Sequence, residues 1–143
     1  MNSSRRIAAY LIGALTLAAA LAPLVRNEDV SIPEHHLLHA ALLAGAVATA
    51  LLASPDTAGD RNGAWLVAVV GSPLLVMFLM WPSSYAYLDA HPIAHAGDHL
   101  SIALLGFLCT WSGQRYARGI GWIGGVATVS MAVLAAGGFG VVR

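Results

Sequence analysis

Lysine is absent from this chain, cysteine occurs once, and only 10% of the residues are charged. Each scarcity excludes something. All seven basic residues are arginine and seven acidic residues offset them, so the formal net charge is zero. That leaves no basic stripe to hold a phosphate backbone, and no nucleic-acid partner is expected. The single Cys109 can form no internal disulfide and belongs to no C-x-x-C motif. It reads as a small apolar residue inside a helix. Internal repeats and low-complexity tracts are also missing, which argues for one compact helical domain over residues 1–143.

What the chain has instead is apolar surface. Hydrophobic residues make up 58% of its 143 positions and the mean hydropathy is +0.73, more than one small soluble core can bury. The expected fold is all-α, an integral membrane bundle. Apolar stretches lie at about 7–25, 37–53, 64–81, 93–111 and 120–142, each near the ~20 residues that a spanning helix needs. The connections "RNEDVSIPE", "SPDTAGDRNG", "PSSYAYLDAHP" and "SGQRYARG" are polar and turn-rich, of the lengths that join neighbouring helices. The first stretch, "SSRRIAAYLIGALTLAAALAP", has the basic start and alanines of a signal peptide, even a twin-arginine one. Pro23 directly after Ala22 disfavours cleavage there, and the segment is expected to remain as a structural span.

Charge distribution sets the expected sidedness. With the N-terminus in the cytoplasm, Arg5, Arg6, Arg61, Arg115 and Arg118 fall inside and only Arg26 and Arg143 outside, as the positive-inside rule favours. Glu28, Asp29, Glu34, Asp89 and Asp98 then belong to the outer ends and loops. All six histidines do too. They occupy two short windows, "PEHHLLHA" at 33–40 and "HPIAHAGDHL" at 91–100, which begin the second and fourth apolar stretches.

"SIPE" reads as a capping box starting a helix at Ser31, with Pro33 in its first turn and Glu34 at the third helical position. His35 and His39 then stand one turn apart on one face, and His36 shares an edge with His39. In the second window His91, His95 and His99 recur every four residues, with Asp98 three after His95. At 1.5 Å rise per residue, His39 lies ~6 Å deeper than His35, and His99 ~12 Å deeper than His91. Imidazoles at that depth are costly without partners. Neutral imidazole is the commonest metal ligand, and two i, i+4 pairs on adjacent helices supply four ligands. Asp98 or Glu34 could bind directly or hold a histidine tautomer. Candidate metal ligands are therefore His35, His36, His39, His91, His95, His99 and Asp98. A proton relay, or simple decoration of helix ends, remains open. Imidazole suits copper, zinc and iron alike. Met77 and Met80, near the outer end of the third stretch, could add thioethers for Cu(I), although methionine in an apolar helix is ordinarily packing.

The residues "HHLLHAALL" and "HPIAHAGDHLSIALLGFLCTW" resemble the outer-facing histidine helices of CtaG-like membrane proteins, copper-delivery factors for cytochrome oxidase assembly. The likeness covers about a third of the chain. It lies in paired histidines followed by leucines, and in an H-x-x-x-H helix with an acidic residue before the last histidine and an apolar run ending in tryptophan. The resemblance implies a membrane-embedded copper site open to the periplasmic side of a bacterial or archaeal plasma membrane. His35, His39, His95 and His99 stand in the matching positions, and His91 matches less firmly. This chain is shorter than those proteins, which leaves open delivery by the chain itself, by a homodimer, or within a larger respiratory complex.

Two other classes compete. A histidine from each window could be an axial ligand of haem b in an electron-transfer subunit working with quinone, given a wide apolar slot. Alternatively, the clusters could serve a membrane enzyme with di-iron histidine boxes, or a zinc hydrolase using Asp98. The enzyme reading ranks lower, because no further carboxylate offers itself as a base and the di-iron enzymes carry more histidines on the cytoplasmic side. Ser83, Ser84 and Tyr85 could face a substrate, but an interfacial loop with an aromatic belt of Trp81, Tyr85 and Tyr87 explains them better. Finally, Gly121 and Gly125 have the G-x-x-x-G spacing that lets helix backbones approach closely, within the chain or between copies.

Overall fold

The computed structural model describes residues 2–25, 31–54, 59, 62–81, 87–88 and 90–141, and for residues 32 and 139–141 the backbone alone. Several residues named above lie outside them: Arg26, Glu28, Asp29, Arg61, Ser83, Ser84, Tyr85, Asp89 and Arg143. Among the described residues there is no strand, and five α-helices carry the fold: α1 (Ser3–Ala20), α2 (Ile32–Ala53), α3 (Ala64–Leu79), α4 (Pro92–Tyr116) and α5 (Arg118–Val141). A short 3-10 turn, Ala22–Leu24, follows α1 around Pro23.

Four of these helices are long and apolar enough to cross a membrane, so the molecule is an all-α bundle of membrane-spanning type. The exception is α3, whose 16 residues extend ~24 Å, short of the ~30 Å hydrocarbon core. It packs on α4. At the centre, α2 and α4 lie together, α5 packs against both, and α1 flanks α2. Only Ala9 and Ala20 of α1 are buried, while Tyr10, Leu11 and Leu15 face outward, the distribution expected of a span with one neighbour and lipid elsewhere. Ala40, Leu43, Val76, Met80, Ile102 and Ala132 bring four helices together in the core.

Small residues determine how closely the helices approach. A Cβ on Gly121 would lie 2.7 Å from the Thr110 carbonyl oxygen, and one on Gly125 would lie 2.8 Å from Val47 Cγ1. The G-x-x-x-G face of α5 is therefore occupied within this chain, by α4 and α2. Cys109 is buried where α4 meets α3 and α5, and its thiol points to the Val69 carbonyl at 3.6 Å. At the end of the bundle opposite the histidines, Arg5 donates to the Leu51 carbonyl at 3.2 Å. There too, Arg115 lies over the Trp111 and Trp65 rings, 5.2 and 5.7 Å from their centroids. Tryptophan and arginine at that level are the usual anchors of an aqueous interface.

Candidate metal centre

The capping box forms where its spacing predicts. The Ser31 backbone N–H and hydroxyl both donate to the Glu34 carboxylate, at 2.9 and 2.6 Å. Glu34 is thereby held at the exposed start of α2 and stays out of the histidine cluster. The cap fixes the first turn of the helix, and with it the direction of the next two residues, His35 and His36.

His35 and His39 meet edge to face one turn apart, with ring centroids 4.2 Å from each other and planes at 69°, and His95 and His99 do the same on α4 at 4.5 Å and 70°. Across the seam the rings touch. The centroid separations are 4.9 Å for His35 and His95, 5.4 Å for His35 and His99, and 5.1 Å for His39 and His99. His36 lies at the edge, 5.8 Å from His39. Asp98 completes the group, with Oδ2 3.3 Å from His39 Nε2. All six side chains are buried, none more than 7% exposed.

His91 stands apart. It is the N-cap of α4: its carbonyl accepts the first helical hydrogen bond from the His95 N–H at 3.0 Å, but with φ −130° and ψ 87° its own backbone is not helical and its ring does not continue the stripe of His95 and His99. Pro92 is the cause, since the ring of a proline disfavours the α conformation for the residue before it. The His91 ring is exposed, stacks on Tyr87 at 4.2 Å, and shares a hydrogen bond with the Tyr87 carbonyl through Nδ1 at 2.8 Å. The dipeptide "HP" carried that signal in the sequence.

The cluster has an apolar floor. Leu43, one turn below His39, and Ile102, three residues below His99, are wholly buried. Gly106 lets the two helices close there, since a Cβ at that position would lie 2.8 Å from Leu43 Cδ2. Neither the floor nor Gly106 could be assigned from spacing alone, because the sequence does not say which faces of α2 and α4 meet.

The donor set fits a metal ion. Donor atoms of His35, His95 and His99 lie within 4.8 Å of one another, and so do those of His35, His39 and Asp98. Ligands of a tetrahedral site stand roughly 3.4 Å apart, a gap that small ring rotations can close. His99 has two buried ring nitrogens without a hydrogen-bond partner among the described residues, and His39 Nδ1 is in the same position. Each such group costs about 1–3 kcal/mol if nothing compensates it. A bound cation would compensate one nitrogen of each ligating ring, leaving the other as an N–H donor, with Asp98 supplying negative charge beside the imidazoles.

Fold and site together define a helical integral membrane protein with a buried histidine cluster able to hold a metal ion. Comparison of the chain with protein-family models, curated proteins and solved structures finds no match.

Proposed function

We propose that the chain holds copper at this cluster on the extracytoplasmic side of a membrane, and delivers it to a copper-using partner such as a respiratory oxidase. One observation carries the reading: four imidazoles and one carboxylate, all buried, converge from two helices on a pair of overlapping three-ligand sites that share His35, with His36 buried at their edge. Copper is the ion here because the histidine helices resemble those of the CtaG-like delivery factors. It is treated as cargo. The N-terminus is assigned to the cytoplasm because Arg5, Arg115 and Arg118 gather at the end of the bundle remote from the histidines, where the positive-inside rule favours them.

The floor supports holding over conduction. A relay across the bilayer needs polar groups along its length, and an apolar layer of Leu43, Ile102, Val76 and Ala132 separates the histidines from the buried hydroxyls of Thr110, Ser112 and Thr128. Haem b fits the cluster poorly. Imidazoles that touch across the seam leave no slot for a macrocycle between them, and the crevice beside His35, His36 and His39 measures only about 10 Å³. For the enzyme reading, Asp98 is the one carboxylate in the cluster among the described residues, and it contacts His39.

The test is the double variant His39→Ala/His95→Ala, which takes one ligand from each three-ligand set. Elemental analysis of the purified protein should give stoichiometric copper for the wild type and none for the variant, with membrane insertion unchanged. Copper retained by the variant overturns the assignment. A Soret band that shifts on reduction would replace it with the haem reading.

A further inference from the structure

The sequence offers two thioethers near the outer end of α3, and the fold separates them. Met77 is 52% exposed on the outer surface of the helix, whereas Met80, at its C-cap, is 7% exposed and turned into the bundle. The small crevice that reaches the cluster is lined by His35, His36, His39 and Met80, with Trp81 and Leu88 at its rim. Trp81, which lines this crevice, is itself largely exposed. Met80 thus shares a crevice with three of the imidazoles.

We infer that Met80 is a further ligand beside the histidine cluster and makes the site selective for a soft monovalent cation, Cu(I), over Zn(II). The inference rests on the proposed metal-holding function. Its chemistry is that imidazole alone discriminates weakly among copper, zinc and iron, while a thioether is a soft donor that favours Cu(I). Copper enters and leaves as Cu(I), so no electron is exchanged at the site. Packing alone does not require sulfur here, because leucine fills a similar volume among Ala40, Leu43 and Val76. The flexible, unbranched side chain of methionine also lets its sulfur follow an ion from the crevice to the imidazoles.

The test compares wild type, Met80→Leu and Met77→Leu, each as the full chain purified in detergent. Cu(I) is presented as its bicinchoninate complex under anaerobic reducing conditions, and Zn(II) is presented with a chromophoric chelator. Met80→Leu should weaken Cu(I) binding by about tenfold or more and change Zn(II) binding by less than about twofold, the scale of effect that ligand-shell changes produce. Sulfur scattering at the copper X-ray absorption edge should be present in the wild type and in Met77→Leu and lost in Met80→Leu. Equal weakening for both ions makes Met80 a packing residue and overturns the inference, and so does unchanged Cu(I) binding. A wild type that binds neither ion overturns the metal-holding function itself, and this inference with it.

Discussion

The histidines of this chain differ in what surrounds them more than in their spacing. His35 belongs to both three-ligand sets and touches His39, His95 and His99, while His91 is exposed and engaged with Tyr87. Replacing His35 by alanine should therefore lower metal affinity by at least about 10–100-fold, the range found when a site loses only a residue that supports its ligands. His91→Ala should leave affinity within about twofold, since it removes a ring outside the cluster. Titration of both variants with the same competitor chelator checks the pair, and an equal loss at the two positions would mean that the cluster is assembled differently. At this scale the sequence was informative about residue type and helical period. It was less so about His91, where the periodic stripe at 91, 95 and 99 suggested a third ligand and Pro92 turned it away.

At the scale of elements, the close approach of α4 and α5 depends on glycine. A side chain at Gly121 meets the backbone of α4, which cannot move aside as a flexible side chain can. Gly121→Val should cost about 1–3 kcal/mol, the usual penalty for overpacking. Gly71 lies in α3 with nothing near its missing Cβ, and Gly71→Ala should be neutral or stabilise by up to about 1 kcal/mol through helix propensity. Unfolding midpoints in mixed micelles measure both. The G-x-x-x-G motif was visible in the sequence, but its partner was not. The structure assigns the partner to α4 and α2 of the same chain, which removes this face as a ready interface between copies. The Met77 and Met80 pair gives the same lesson: three residues apart on one helix, they face opposite environments because α3 packs on only one side.

For the whole molecule, the polar groups separate by end. Histidines and Asp98 gather where α2 and α4 begin, while Arg5, Arg115 and Arg118 lie where α2 and α4 finish and α1 and α5 begin. If the arginine end is cytoplasmic, a cysteine at the exposed Tyr87 should react with a membrane-impermeant maleimide in intact cells. One at Gly119, also exposed, should react only after permeabilisation. The native Cys109 is buried and gives a low background. The reverse labelling pattern would invert the molecule and place the histidine cluster on the cytoplasmic side.

The sequence by itself determined that the chain is helical and belongs in a membrane, because apolar runs of spanning length have no other stable solvent. It also determined that the histidines lie at one end of the bundle, because the two short windows begin the second and fourth segments, which run in the same direction with one segment returning between them. Helical period paired His35 with His39 and His95 with His99. Only the tertiary structure decided that these pairs face each other, that Glu34 and His91 stay outside the cluster, that Met80 lines the crevice beside it and that Leu43 and Ile102 close its floor. The physical reason is that a helix fixes the angle between its own side chains through local geometry, whereas its rotation about the long axis is set by packing against neighbours.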